Sequence, residues 1–157
     1  MTKKSHKITN TILLVITAIF LVAGVVGLFV LPQYVNVLID QPDKVGDREN
    51  ITQLGRAVVH IMSYVILLIA ICADCFLMSL FIRVGKGELF TSKGVFCVNA
   101  IMWCCFALTL ASASLLYYFQ MALVVSVGSL IIGICLILVR SAVEEAMAIK
   151  NENDLTV

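Results

Sequence analysis

Two cysteines and an aspartate lie within four consecutive residues of an apolar stretch, at Cys72, Asp74 and Cys75. Thiolates beside a carboxylate can bind a soft metal ion or take part in redox chemistry. Cysteine is also a small apolar residue that packs well in helix interfaces, and neither a second Cys-x-x-Cys pair nor a His-rich tract is present. We therefore favour packing for the thiols, keep Cys72 and Cys75 as metal-ligand candidates, and predict neither a metal nor a cofactor.

Asp74 lies deep in the apolar run 61–82, which contains no other charged residue. A carboxylate there is costly, so it should face other helices or be protonated. Asn99 and Trp103 are predicted to reach a similar depth on the next apolar run, where either could donate a hydrogen bond to it. Two interpretations remain open, a structural clamp and a proton- or substrate-coupling carboxylate. The clamp is slightly favoured because no second acid or base lies deep enough to form a relay.

The catalytic motifs of known enzyme classes are missing from the sequence. It contains no Ser/His/Asp or Cys/His constellation, phosphate-binding loop or metalloprotease motif. It also shows no basic face with stacking aromatic residues of the kind that binds nucleic acid. We therefore predict a protein that is not an enzyme and does not bind nucleic acid directly.

The elements that must position these residues are long apolar runs. Of the 157 residues, 61% are hydrophobic and 13% are charged, whereas soluble domains carry about a quarter charged residues. A run of about 20 apolar residues crosses the hydrocarbon core as a helix. We predict an all-α fold, an integral membrane bundle of four transmembrane helices in one domain, with Pro32 ending or kinking the first helix. The predicted spans are about 11–31, 61–82, 95–118 and 121–139.

Charge distribution predicts the orientation of these spans. Lysine and arginine close to membrane helices are retained in the cytoplasm. Eight of the eleven lie at the N-terminus, in the loop 83–94, or from Arg140 onward, whereas three lie between residues 33 and 56. The sequence therefore predicts cytoplasmic N- and C-termini, an outer loop at 33–55, an inner loop at 83–94 and a cytoplasmic tail at 141–157. The expected location is the plasma membrane.

Small residues recur along the third predicted span at alternating four- and three-residue steps. This spacing places them on one helix face, where a neighbouring helix can approach closely. Four helices of this length make a narrow bundle, so any pore would need several copies and the chain is a possible homo-oligomer. The predicted helix-packing residues are Ala100, Cys104, Ala107, Ala111 and Ser114.

Two stretches resemble a known family. Gly87-Glu-Leu-Phe-Thr91 resembles a Gly-x-x-Phe-[Thr/Ser] loop pattern that precedes an apolar helix, and Glu152-Asn-Asp-Leu-Thr-Val157 resembles a characteristic C-terminal end. The family is domain of unknown function 2975, small bacterial membrane proteins with four spans, and the layout is similar over nearly the whole chain. Its members are often encoded beside a small helix-turn-helix regulator. The resemblance therefore implies a bacterial membrane partner of such a regulator and no catalytic residues.

The loop 83–94 and the tail are expected to emerge on one cytoplasmic face. Our leading hypothesis is that they form a surface that docks or sequesters the regulator. In one alternative the tail only caps the last helix, and in another the protein is a small oligomeric transporter or channel that uses Asp74. The candidate docking residues are Lys86, Glu88, Phe90, Glu152, Asp154, Leu155 and Thr156.

Overall fold

The computed structural model describes residues 3–40, 53–87 and 91–155, and four helices contain nearly all of them. All four helices are long and apolar enough to cross a membrane. The described residues include no β-strand. The all-α prediction with four candidate membrane spans is confirmed, and the side of the membrane that each end faces stays a prediction. The helices are α1 (Lys3–Asp40), α2 (Gln53–Gly85), α3 (Ser92–Ser114) and α4 (Met121–Leu155).

Three of the helices are longer than a bilayer requires. α1, α2 and α4 contain 38, 33 and 35 residues, which at a rise of 1.5 Å per residue corresponds to roughly 50–57 Å against a hydrocarbon core of about 30 Å. Each of the three is therefore long enough to extend beyond the apolar layer. α3, with 23 residues, is closer to the length of a single crossing.

Pro32 was expected to end or kink the first helix; it does not end the helix, so the first alternative is wrong, and the kink stays a prediction. α1 continues through Pro32 to Asp40, although an internal proline removes one backbone hydrogen bond. The continuation is stabilised by packing, because Val35 is buried against Val59 of α2. Residues 33–40 and 53–55, which the sequence analysis assigned to the outer loop, are therefore helical. The rest of that loop lies outside the described residues.

α3 and α4 form an antiparallel hairpin with a short connection. α3 ends at Ser114, four residues before the predicted end of the third span, and residues 115–118 form a turn. The backbone N–H of Leu115 donates to the Ser112 carbonyl at 3.0 Å, and that of Phe119 donates to the Leu115 carbonyl at 2.9 Å. These bonds satisfy backbone groups that would otherwise be unpaired at the helix end.

The helices pack in chain order, each against the next. Within the described residues the packed pairs are α1 with α2, α2 with α3, and α3 with α4. Gly24 lies against Ile71 between the first pair, and Cys97 bonds Ser79 between the second. α1 and α4 therefore lie at the two edges of a row. Large apolar side chains such as Phe29 remain exposed along both edges, as expected for faces that contact lipid.

The row of helices has two ends along the helix axes, and these ends differ in chemistry. At one end, Val35, Val59 and Leu115 are buried together, and we call them and their apolar neighbours the hairpin-end cluster. This cluster connects α1, α2 and the α3–α4 turn. We call the opposite end the basic end, and the cations there whose side chains are described are Arg83, Lys86, Lys93 and Arg140. The apolar residues packed against the buried three are Leu31, Ile39, Met62, Ile66, Tyr118, Phe119 and Ala122.

Candidate functional site

The connection from α2 to α3 is held at both of its ends. After α2 the N–H of Lys86 donates to the Ile82 carbonyl at 3.3 Å, and Gly87 has a φ of 76°, a left-handed conformation that glycine adopts without strain. Thr91 then caps α3, because its hydroxyl accepts a bond from the Gly94 N–H at 3.3 Å. Lys86 is exposed. Glu88 and Phe90, predicted as docking residues, lie outside the described residues.

Arg140 fixes the C-terminal part of α4 against α3. Its Nη1 donates to Asn99 Oδ1 at 2.8 Å, and its Nε donates to Glu144 Oε1 at 2.9 Å. The side chains of Arg140 and Glu144 are 39% and 43% exposed, so solvent weakens the ion pair. The pair therefore adds little stability, and its main effect is to orient the Arg140 side chain. Val143 is buried one turn further on. α4 therefore continues past the predicted span as a packed helix.

The last residues of α4 extend beyond the start of α3. Because Arg140 lies opposite Asn99 in an antiparallel pair, Ser92 lies near the level of residue 147. Residues 148–155, which we call the projecting helix end, therefore extend roughly 12 Å past α3 at 1.5 Å per residue. Ile149 and Glu152 are exposed on it. Asp154 and Leu155 belong to the helix, but their side chains are not described, and Thr156 lies outside the described residues.

The structure does not give Asp74 the hydrogen bond that the sequence analysis expected. Asp74 Oδ2 is buried and has no hydrogen-bond partner among the described residues. Asn99 Oδ1 instead accepts from Arg140, and Trp103 is 64% exposed with its ring edge-on to Phe106 of the same helix. Asn99 is therefore bonded to α4, and the ring of Trp103 contacts a residue of its own helix.

The six cysteines are free thiols with different environments. Cys72, Cys75 and Cys135 are exposed, Cys104 and Cys105 are half-buried, and Cys97 is buried. Cys97 Sγ donates to Ser79 Oγ at 3.8 Å, which supports a packing role between α2 and α3. Across residues 3–40, 53–87 and 91–155, no group of three or more His, Cys, Asp or Glu side chains is placed to hold a metal ion. The absence of a metal remains a prediction.

Close packing between α3 and α4 uses a different face of α3 from the predicted one. Thr109 Oγ1 lies 2.9 Å from Ser129 Oγ, and Ser126 Oγ donates to the Thr109 carbonyl at 3.3 Å. Gly133 is buried beside Cys105 and Phe106. Of the predicted packing residues, Ala107 and Ser114 are exposed, whereas Ala100, Cys104 and Ala111 are half-buried.

The spacing of Ser126, Ser129 and Gly133 on α4 is a sequence signal that could have indicated this interface. These three residues recur at steps of three and four, which places them on one helix face. Small and hydroxyl residues at this spacing allow close approach and hydrogen bonds between membrane helices. The bonds of Thr109 then determine which face of α3 turns toward α4.

In comparisons with known proteins, no family model, no curated protein and no solved structure matches this chain. The resemblance to domain of unknown function 2975 therefore stays a prediction that rests on the loop and tail motifs. The features of the chain that bear on its function are the basic end, the projecting helix end and Asp74.

Proposed function

We propose that the protein is a non-enzymatic bacterial membrane protein that docks a cytoplasmic helix-turn-helix regulator at its basic end. The observation that carries the proposal is the projecting helix end. α4 continues as one helix to Leu155, beyond the level where α3 begins and at the same end of the row as the α2–α3 loop. A partner approaching from the cytoplasm would meet the loop and this helix end together.

The charge of the tail supports this kind of partner. Residues 141–157 contain four acidic residues, Glu144, Glu145, Glu152 and Asp154, against Lys150, so their formal charge is −3. A DNA-binding regulator carries a basic surface that contacts the phosphate backbone. An acidic helix at the membrane can attract that surface and keep the regulator away from DNA. Exposed Ile149 adds an apolar contact on the same helix.

Truncation of the projecting helix end tests the proposal. We expect a chain ending at Met147 to recover at least tenfold less of a helix-turn-helix protein from the native host than the full chain does, because Glu152, Asp154 and Ile149 are removed; a tenfold loss corresponds to about 1.4 kcal/mol. The measurement is a pull-down from detergent extracts, with bound proteins quantified by mass spectrometry. Equal recovery by both chains would contradict the proposal.

The matched control for the truncation is Gln120→Ala. Gln120 is exposed at the opposite end of the row, in the α3–α4 connection. This variant is expected to recover the regulator as well as the unchanged chain does. Thermal unfolding of all three proteins in the same detergent checks that the truncated chain remains folded.

A second candidate function, a small oligomeric transporter or channel, is favoured by one observation. Asp74 Oδ2 is buried and unpaired within a candidate membrane span, and acidic groups in that situation often bind protons or substrate. Under this candidate, Asp74→Asn should abolish proton flux into liposomes that contain the protein while leaving its helical content unchanged. Identical flux before and after the substitution would exclude a role for this carboxylate in proton transport.

A further inference from the structure

An open groove lies on α2 near the basic end, with a volume of about 340 Å³. Cys75, Ser79, Ile82 and Lys86 follow one face of α2 at steps of three and four residues, so the groove runs along the helix for roughly 16 Å. Leu21 of α1 forms part of its wall. The groove is therefore elongated, with its long direction along the membrane normal if α2 spans the bilayer.

The two ends of this groove have different chemistry. Leu21 and Met78 provide apolar surface, and Arg83 and Lys86 provide two cations at the end nearest the termination of α2. No aspartate or glutamate among the described residues lines it. This arrangement matches an amphiphile that has an acyl chain and an anionic head.

One side-chain donor of Arg83 is unpaired within the described residues. Its Nε is buried and has no hydrogen-bond partner among the described residues. A buried donor without an acceptor destabilises the structure, and the penalty is larger for a charged group. Ser79 Oγ accepts from Cys97, which leaves the serine proton available to donate. A phosphate group placed here could accept from Arg83 and Lys86.

We propose that this groove binds an anionic phospholipid, with the phosphate at Arg83 and Lys86 and an acyl chain along Leu21, Met78 and Ile82. Arginine matches phosphate oxygens with parallel N–H donors, and lysine adds a mobile positive charge. Basic pockets between membrane helices on the cytoplasmic side are suited to anionic headgroups. The apolar wall favours a lipid over a free phosphate ion, because the ion would leave that wall in contact with water.

The test measures lipid binding to the full chain in detergent by native mass spectrometry. We expect phosphatidylglycerol to bind more tightly than phosphatidylcholine. Arg83→Gln and Lys86→Gln should each weaken phosphatidylglycerol binding by about fivefold, the effect of roughly one interfacial charge. Lys93→Gln is the matched control, because Lys93 is exposed at the start of α3 and does not line the groove. It should change binding by less than about twofold, since its exposed charge lies outside the groove and is screened by solvent ions.

The source of the phosphate is tested by competition with glycerol 3-phosphate, which has the head without the chains. The proposal expects that glycerol 3-phosphate does not displace phosphatidylglycerol, even at the concentration at which the lipid itself saturates the protein. Displacement at equal concentration would overturn it in favour of a free-anion site. An equal effect of Lys93→Gln and Lys86→Gln would overturn it in favour of general charge attraction. Lys86 is exposed, so Lys86→Gln stays informative if Arg83→Gln fails to fold.

Discussion

Leu115→Ala is expected to lower the free energy of unfolding by roughly 2–5 kcal/mol, the usual range when a buried leucine is truncated. Leu115 is only 7% exposed and packs in the hairpin-end cluster with Val35 and Val59, of which Val59 is fully buried. Truncation leaves a cavity where α1, α2 and the α3–α4 turn meet. The measurement is thermal and denaturant unfolding in a fixed detergent, followed by circular dichroism.

Leu116→Ala is the adjacent control for this prediction. Leu116 is 37% exposed and does not belong to the cluster, so its truncation creates little cavity. We expect the unfolding midpoint of this variant to stay close to that of the unchanged chain. If the two alanine variants unfold at the same midpoint, the hairpin-end cluster does not stabilise the fold.

Gly133→Leu is expected to destabilise the α3–α4 hairpin by roughly 1–3 kcal/mol, the usual range for overpacking. A Cβ at Gly133 would lie 3.3 Å from Phe106 Cε1 and 3.5 Å from Cys105 Cβ. The rest of a leucine side chain would push against the same two residues. Loss of close approach would also separate Thr109 from Ser129, whose hydroxyl oxygens are 2.9 Å apart. The same unfolding assay measures the effect.

Gly128→Leu provides a matched substitution on the same helix. Apart from its chain neighbours and the backbone of its own helix, a Cβ at Gly128 would meet no heavy atom within 4 Å, and leucine favours helix over glycine by somewhat under 1 kcal/mol. We therefore expect unchanged or slightly higher stability. A loss as large as that of Gly133→Leu would show that any leucine in this stretch is harmful and that the contact with Phe106 is not the cause.

Composition was sufficient to predict the helices, because apolar length is a direct requirement for crossing a bilayer. Their ends were less predictable. Pro32 is a local signal for a helix end, but burial of Val35 beside Val59 outweighs the lost backbone bond. In α4, Arg140 marked the end of the predicted span. The helix in fact continues beyond it, and the bonds of Arg140 to Asn99 and Glu144 hold the continuing part in place.

Rotation about the helix axis could not be predicted from the sequence. Counting residues predicts that Asn99 and Trp103 lie near the level of Asp74, but such a count cannot determine which neighbour a face of α3 meets. The Arg140 bond to Asn99 and the Thr109 contact with Ser129 determine it. Both contacts join α3 to α4 across long separations in the chain. Asp74 is consequently left without the predicted donors.

The central claim is that the basic end faces the cytoplasm, with both termini on that side. Protease added outside intact cells tests it directly, using tags fused before Met1, inserted after Lys44, or fused after Val157. We predict cleavage of the tag after Lys44 and protection of the two terminal tags until the cells are opened. Cleavage of the tag after Val157 in intact cells, with the tag before Met1 protected, would contradict both the orientation and the cytoplasmic docking surface.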